Sequence, residues 1–458
     1  MLDLGETMNK RHALVARSFS AAALVLSVGA GVVSLSAPAG ASSKVTITIW
    51  NDALAASSST VPNAKSFLTK GVALFEKANP NIKVNVLPEP MASSTGFNTL
   101  LSSSELAGST PDIGQLYVGG QILQNAKYLV GLNQYLGSSY IKSLTGWQFV
   151  SKNFQTGSTI YAVPYGAGYY YTVFFNKALF KKAGISTTTY PTTWAGLLTL
   201  AGKLKAKGIT PFEFGEKEGY FGAWSQDALI SMLGGNEGVL AMNSGKTSLN
   251  SSLLLKPYNA WHGLWAAGYT NSNAPSLTFT TGVANFAAGK AAMTITGNFY
   301  ATQFYQGLKS NVGLFPVPAL PGSKYPKALS GGPNNAYVIF KTSKHVADDV
   351  KLIKFLTSKT VQDNSINELG QLPNIVGWTA PSGFNAAQPL LADLNTFINK
   401  DHYTLMEAFD NVMPGSIDNY WYQTNTGVFA GTLSSASAAG SMQNQMQSYL
   451  SAQATSGG

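Results

Sequence analysis

The chain has 458 residues, enough for two or three lobes, and its 45% apolar content predicts a folded core under a surface with only 11% charged residues. The formal charge is +9, but the lysines are scattered rather than gathered into a stripe that could follow a phosphate backbone. Nucleic-acid binding is therefore not predicted. The low density of charge suggests an acidic habitat.

Two residue types constrain the ligand and the chemistry. The only arginines are Arg11 and Arg17, and because the guanidinium group is the usual bidentate partner of carboxylates and phosphates, a neutral ligand is favoured. There is no cysteine. This excludes disulfides, thiolate metal sites, cysteine nucleophiles and a lipid-modified cysteine. We predict no cofactor and no metal.

Residues 1–41 have the pattern of an export signal. Lys10, Arg11 and Arg17 form a basic region, residues 21–35 are mainly apolar, and residues 39–41 are the small residues of a cleavage site. An uncleaved membrane anchor is the alternative, since the apolar run is at the short limit for spanning a bilayer. The mature protein is expected in the extracellular or cell-envelope space.

The first elements after the signal predict a βαβ unit. Residues 45–49 alternate between apolar residues and threonine, which is typical of a strand. Apolar residues at helical spacing follow over 67–78, and Pro80 ends that helix. Residues 82–86 alternate again. The order strand, helix, strand predicts an α/β fold with a parallel sheet.

Two further helices are predicted from their caps. Asn176 can cap a short helix that ends at Gly184. Thr193 can cap a longer one that Gly208 stops. Just before them lies a segment rich in tyrosine, residues 160–177. It holds more rings than a strand needs to fill a core.

Ten stretches in register resemble the extracellular solute-binding proteins of ABC importers, in the sugar-binding family that includes maltose-binding protein. They cover nearly all of the chain after the signal and mark the scaffold more than the substrate. The stretches are "TITIW" (46–50), "FEKANPNIKV" (75–84), "GSTPDI" (108–113), "IYAVPYG" (160–166), "FFNKALFKKAGI…YPTTWAGLL" (174–198), "KGITPF" (207–212), "FAAGKAAMTITG" (286–297), "VGLFPVPALPG" (312–322), "KFLTS" (354–358) and "LGQLPN" (369–374).

The resemblance implies a two-lobed periplasmic-binding-protein-like fold. Each lobe is expected to be a mainly parallel sheet flanked by helices, with the ligand in the cleft between the lobes and closure about a hinge. The expected N-terminal lobe is 42–165 with 331–358. The expected C-terminal lobe is 166–330 with 359–458.

A sugar site needs flat aromatic surfaces and hydrogen-bond partners at their edges. The resemblance places such residues after the first strand, after "PDI", at the hinge, and in three later segments. For each aromatic candidate, core packing is the alternative. For Asn51 and Asp52, the alternative is a helix cap or a turn. The candidates are Asn51, Asp52, Tyr117, Tyr165, Tyr169, Trp224, Gln226, Asp227, Asn298, Phe299, Tyr300, Asn334 and Trp421.

Among the tyrosines, Tyr161 is expected in the core, and at least one of Tyr165 and Tyr169 is expected to contact the ligand. Tyr170 and Tyr171 should point in opposite directions in an extended segment, with one of them buried. Phe299 stands where the family commonly has a tryptophan, which leaves a smaller ring for stacking.

Other functions would require other residues in the site. A glycoside hydrolase needs two facing carboxylates, but Glu213, Glu216 and Glu218 are interpreted as a solvated loop, and no catalytic residue is predicted. A polyamine would need several carboxylates in the cleft, with Asp227 and Asp410 as candidates beside Asp52. A phosphate ester, a peptide or a role in adhesion also remains open. We predict a monomeric receptor that delivers a neutral mono- or oligosaccharide to an ABC permease.

Overall fold

The structure is a computed structural model that describes residues 44–51, 67–88, 94–152, 157–333 and 335–456. The predicted export signal, Asp52 and Asn334 lie outside these ranges. Within them, every helix is too short or too polar to span a bilayer.

The described elements include both strands and helices along the whole described chain. In chain order they are β1 (Val45–Asn51), α1 (Phe67–Ala78), β2 (Ile82–Pro88), α2 (Ser94–Ala107), β3 (Ile113–Tyr117), α3 (Gly120–Asn125), α4 (Asn133–Leu136), α5 (Ser138–Ser143), β4 (Ala162–Pro164), β5 (Tyr169–Asn176), α6 (Lys177–Lys182), α7 (Trp194–Ala206), α8 (Tyr220–Asn243), α9 (Ser252–Ala266), α10 (Phe279–Ala287), β6 (Met293–Gly297), α11 (Ala301–Leu308), β7 (Val312–Pro316), β8 (Ala328–Gly332), β9 (Asn335–Ile339), α12 (Val346–Leu356), α13 (Lys359–Leu369), α14 (Phe384–Ala387), α15 (Pro389–Asn399), β10 (Thr404–Glu407), α16 (Phe409–Val412), α17 (Gly415–Ala430) and α18 (Ser435–Ser456).

The strands form two sheets of five. The first has the order β2-β1-β3-β9-β4, and the second has the order β10-β8-β5-β6, with β7 also paired to β5. In the first sheet β1 runs parallel to β2 over Val45–Asn51, with α1 between them in sequence. The predicted βαβ unit is therefore confirmed, and so is the two-lobed fold.

Both sheets are mixed, because in each of them four strands run in one direction and a single strand runs against them. In the first sheet β9 runs antiparallel to β3 and β4. In the second, β5 runs antiparallel to β6, β7 and β8, and only β8 and β10 pair in parallel. Strands β5 and β9 run against their neighbours because each begins where the chain enters a sheet. Such a strand runs away from the passage, whereas its neighbours run towards it.

The chain passes from the first sheet to the second between Pro164 and Tyr169, and it returns between Gly332 and Asn335. Each sheet is embedded in its own apolar core. Helix α13 contributes Val361 to the first core and Ile366 to the second. The limits predicted for the two lobes stay a prediction.

Two buried amide side chains fasten the first passage. Gln362 Oε1 accepts the backbone N–H groups of Gly166 at 3.2 Å and Asn374 at 3.0 Å. Asn374 Nδ2 donates to the carbonyl oxygens of Pro164 at 3.1 Å and Thr145 at 2.9 Å. The hydrogen bonds tie α13 and the segment after it to the chain on both sides of β4.

The predicted caps are present. Asn176 Oδ1 accepts the backbone N–H groups of Ala178 and Leu179 at the start of α6. Thr193 Oγ1 accepts that of Gly196 at the start of α7. Each oxygen satisfies donors that the first helical turn leaves without a backbone partner.

Candidate functional site

Several strand ends meet at one edge of each sheet, where the chain passes between the sheets. The pairings place the ends of β3, β4, β6, β8 and β10 at that edge, together with the starts of β5 and β9. Tyr117, Phe299 and Asp410 lie at or just after three of these strand ends. The topology therefore gathers predicted site residues from distant parts of the sequence.

Five half-buried aromatic rings of the second lobe form a contiguous group, which we call the ring cluster: Tyr169, Tyr220, Trp224, Phe299 and Tyr300. The Phe299 ring lies 5.0 Å from Tyr169, 5.3 Å from Trp224 and 4.7 Å from Tyr300, measured between centroids. Trp224 is 6.1 Å from Tyr220. Because each ring is only half-buried, the cluster offers apolar carbon surface to a ligand.

Local structure explains why these rings meet. Tyr220 and Trp224 are four residues apart on α8, so they share one face of the helix. Phe299 and Tyr300 lie in the turn between β6 and α11. Tyr169 is the first residue of β5, at the passage edge of the second sheet. Four of the five were predicted from the sequence.

Three carboxyl groups lie next to each other in the second lobe, and we call them the aspartate cluster: Asp227, Asp410 and Asp418. Asp227 Oδ1 accepts the backbone N–H groups of Phe409 at 2.8 Å and Asp410 at 3.3 Å. Burial raises the pKa of Asp227 well above its ordinary value, and the carboxylates of Asp410 and Asp418 raise it further. Burial is also the main cause that raises the pKa values of Asp410 and Asp418.

Two tyrosines adjoin the aspartate cluster. The Tyr171 hydroxyl donates to Asp410 Oδ2 at 3.1 Å, and the Tyr422 hydroxyl lies next to Asp418. Burial, followed by the nearby aspartates, raises the pKa values of both phenols well above their ordinary value. The phenols therefore stay protonated and can donate.

Two predicted aromatic residues are fully packed in this structure. The indole of Trp421 exposes 0% of its surface and lies edge to face with Phe409, with centroids 5.0 Å apart. Tyr165 is 4% exposed and stacks on Tyr337 in the first core at 4.6 Å. Tyr170 and Tyr171 are both buried, where only one was expected.

Two predicted polar residues have their hydrogen bonds inside the protein. Gln226 Nε2 donates to Asn425 Oδ1 at 2.8 Å. Asn298 Oδ1 accepts the N–H of Tyr170 at 2.6 Å, and its Nδ2 donates to the carbonyl of Gly370 at 2.6 Å. Both side chains are 0% exposed. Ligand contact by Trp421, Tyr165, Gln226 and Asn298 stays a prediction, and this arrangement assigns each of them a packing role.

The first lobe contributes fewer described candidates. Tyr117 ends β3 half-buried, and its backbone N–H donates to Gln121 Oε1 at 2.6 Å. Asn51 is the last residue of β1. Asp52 and Asn334 are predictions that fall outside the described residues.

Four residues next to predicted ones were missed from the sequence. Tyr220 lies one helical turn before Trp224, and Tyr422 follows Trp421 directly. Asp418 lies one turn before Tyr422 on α17, and Tyr171 was not assigned a polar role. A search for polar and aromatic residues one turn from each candidate would have found the first three.

The interpretation as a solvated loop is wrong for Glu213 and Glu216, whereas Glu218 is half-buried and accepts the N–H of Phe279 at 2.9 Å. Glu216 is 0% exposed and accepts the N–H of Gly222 at 2.9 Å and Trp261 Nε1–H at 3.3 Å. Glu213 is 3% exposed. The carboxylates are used as local acceptors for backbone and indole donors. In the ranges that the structure describes, no group of three or more His, Cys, Asp or Glu side chains could hold a metal ion.

A cavity of about 310 Å³ lies at the opposite end of β5 from the ring cluster. Phe175, Tyr190, Phe315 and Phe397 are among the residues that line it. None of the predicted site residues does. The candidate site is instead the passage edge, where the ring cluster lies.

Comparison with known proteins agrees with this fold. The sequence profile of the bacterial extracellular solute-binding protein family matches residues 58–363, well over half of the chain. An uncharacterized ABC transporter extracellular-binding protein of Pyrococcus horikoshii is 27% identical over 250 residues, which are 54% of this chain and 56% of the relative. A maltooligosaccharide ABC transporter solute-binding lipoprotein of Streptococcus pneumoniae is 25% identical over 44% of this chain and 46% of its own length. These matches span about half the length of the relatives.

Solved structures match over more of the chain. A chitin oligosaccharide binding protein has a TM-score of 0.74 at 22% identity, covering 90% of this chain and 100% of that one. The maltose-bound MalE3 protein of T. maritima has a TM-score of 0.67 at 21% identity, covering 88% and 99%. At these identities the likeness shows the fold. Together with the family profile it shows that this chain belongs to the bacterial extracellular solute-binding protein family.

Proposed function

We propose that this protein is the exported, monomeric substrate-binding component of an ABC importer, and that it captures a neutral sugar or oligosaccharide between its lobes and delivers it to the membrane permease. The observation that carries this proposal is the ring cluster. It places Trp224, Phe299 and Tyr169 side by side at the passage edge, each ring half-buried.

Stacking on sugar rings is the chemistry that best fits the ring cluster. The C–H face of a pyranose packs on flat aromatic carbon, and its hydroxyls need acceptors and donors at the rim. One carboxyl group of the aspartate cluster lies on the same helix as a ring of the ring cluster, since Asp227 follows Trp224 by less than one turn of α8. The chain after Arg17 contains no arginine, which supports a ligand without an anionic group.

The relatives support a carbohydrate as the ligand class. One is named for maltooligosaccharide, and the solved structures of the same fold include proteins described with chitin oligosaccharide and maltose. Micromolar binding corresponds to about −8 kcal/mol, which several stacked rings with satisfied hydroxyls can supply.

A cationic solute such as a polyamine is the second candidate, and the aspartate cluster favours it. Three adjacent carboxyl groups could neutralise ammonium groups on a ligand. The raised pKa values count against this candidate, because carboxyl groups that hold their protons carry less charge to attract a cation.

Thermal melting of the purified protein with a panel of solutes tests the proposal. The panel contains neutral mono- and oligosaccharides, with spermidine and glycerol phosphate as controls. A ligand at 100 times its Kd stabilises the folded state by about 2.7 kcal/mol, which raises the melting temperature by degrees. A shift with a saccharide supports the proposal. A shift with spermidine alone would replace it with the second candidate.

A further inference from the structure

The two lobes touch, backbone against backbone, at a pair of glycines. Gly119 and Gly120 follow β3 of the first lobe. A Cβ atom on Gly119 would lie 2.0 Å from the carbonyl oxygen of Asn411, and one on Gly120 would lie 2.5 Å from that of Met413. Residues 411–413 belong to the segment that follows β10 of the second lobe. Only the hydrogen atoms of glycine fit against these carbonyl groups.

Both sides of this contact are held firmly. The N–H of Gly119 donates to the carbonyl of Phe149 at 2.8 Å, and its own carbonyl accepts the N–H of Leu123 at 3.1 Å. Across the contact, Asp227 Oδ1 holds the N–H groups of Phe409 and Asp410 at the start of α16. Neither backbone can move aside as the end of a flexible side chain could.

A second contact lies further along the same helix of the first lobe. Gln124, near the end of α3, lies next to the hydroxyl of Tyr449 on α18 of the second lobe. Helix α3 therefore meets the second lobe near both of its ends. Rotation about the connections between the lobes would separate α3 from residues 411–413 and from α18.

We propose that the two lobes close against each other at Gly119 and Gly120, a contact that we call the seat. A side chain at either position holds the lobes apart. A contact made only in the closed form shifts the equilibrium towards that form by its own free energy. A methyl group on either glycine removes the contact and therefore shifts the equilibrium back towards the open form. The consequence for affinity rests on the proposed function, whereas the consequence for the lobes does not.

Alanine substitutions with matched glycine controls test the seat. Gly120 has helical backbone, so Gly120→Ala adds the clash without backbone strain, and Gly263→Ala in α9, where a Cβ meets nothing within 4 Å, is its control. Gly119 has φ of 76°, as does Gly137, which also has nothing within 4 Å of a Cβ. Gly119→Ala and Gly137→Ala therefore share the strain and differ in the contact.

The measurement is the radius of gyration by small-angle X-ray scattering without added solute, with circular dichroism to check the fold. We expect Gly120→Ala and Gly119→Ala to give a larger radius than wild type and their controls. For a solute that binds wild type, we expect Kd to rise about tenfold, within the usual range for coupled conformational changes. The scattering measurement needs no ligand, so its outcome does not depend on whether the protein binds a sugar.

A radius unchanged from the controls would overturn the seat. If Gly120→Ala does not fold, Tyr449→Phe decides the question, since it removes the hydroxyl that lies next to Gln124 without adding an atom. A larger radius for Tyr449→Phe supports closure at α3, and an unchanged one contradicts it.

Discussion

The ring of Phe299 meets the indole of Trp224 edge to face, with centroids 5.3 Å apart and an interplanar angle of 71°. The two residues are 75 positions apart in the sequence, on the turn after β6 and on α8. Their contact fixes the centre of the ring cluster, and edge-to-face pairs of this kind favour a defined geometry. A ligand would meet a preformed aromatic surface.

Replacing the two tryptophans by alanine should separate ligand binding from stability. Trp224 is half-buried in the ring cluster, so we expect Trp224→Ala to weaken saccharide binding by about 2 kcal/mol, or about thirtyfold in Kd. Trp421 is 0% exposed, so we expect Trp421→Ala to lower the free energy of unfolding by about 3–5 kcal/mol. Calorimetric titration and urea unfolding of both variants measure these effects. Equal affinity for Trp224→Ala and wild type would remove that ring from the site.

Asp227 should act mainly as the acceptor that positions α16. Asp227→Ala leaves the buried N–H groups of Phe409 and Asp410 without their acceptor, and we expect a loss of about 2 kcal/mol in the free energy of unfolding. Asp227→Asn keeps an acceptor oxygen and should lose less. If Asp227→Asn still binds a saccharide, a neutral ligand is supported. If wild type binds spermidine and Asp227→Asn does not, the cationic candidate is supported.

The hydrogen bonds that Gln362 accepts at the first passage should stabilise the folded state. Gln362→Ala removes the acceptor of two N–H groups, those of Gly166 and Asn374, and we expect a loss of about 2 kcal/mol in the free energy of unfolding. Gln423→Ala, at an exposed position on α17, is the control and should change stability by less than about 0.5 kcal/mol. Identical urea midpoints for the two variants would show that the amide does not fasten the passage.

Stability should be greater in acid than at neutral pH. Burial raises the pKa of Asp349 from 3.8 to about 7, and it raises that of Glu407 well above 4.5. The folded state therefore binds more protons than the unfolded chain between about pH 4 and pH 7. One carboxyl group changes the free energy of unfolding by about 1.4 kcal/mol per pH unit across such a window, and the change is a loss as pH rises.

Urea unfolding at pH 5 and pH 8 measures this dependence, with Glu407→Gln as the matched variant. Glu407 is 1% exposed, so the variant should show a smaller loss of stability between the two pH values. The described residues contain two ion pairs between lysine and a carboxylate, so few native carboxylates need to stay charged. An optimum at neutral pH with rapid unfolding at pH 3 would contradict both this prediction and the acidic habitat.

The sequence predicts local structure and the ring cluster better than the burial of polar groups. Caps at Asn176 and Thr193 depend on neighbours within three residues, so their pattern is visible in the chain. Trp224 and Phe299 could be placed because each follows a recognisable scaffold segment. The strand directions could not, since β5 and β9 take theirs from passages between sheets that no local pattern records.

Burial of charge is the harder problem. Glu216 and Asp227 look like surface residues in the sequence, yet each accepts hydrogen bonds from N–H groups that tertiary structure brings to it. Trp421 shows the converse, since an aromatic residue that was predicted to contact the ligand is packed here against Phe409. Trp261 lies 45 residues from Glu216, and Phe409 lies 182 residues from Asp227, so no local pattern records these contacts.

Calorimetric titration of the purified protein with neutral oligosaccharides, beside the Trp224→Ala variant, tests the central claim most directly. We expect saturable binding of one saccharide class, with Kd near or below micromolar for wild type and about thirtyfold higher for the variant. Binding of spermidine or glycerol phosphate, with no response to any saccharide, would contradict it.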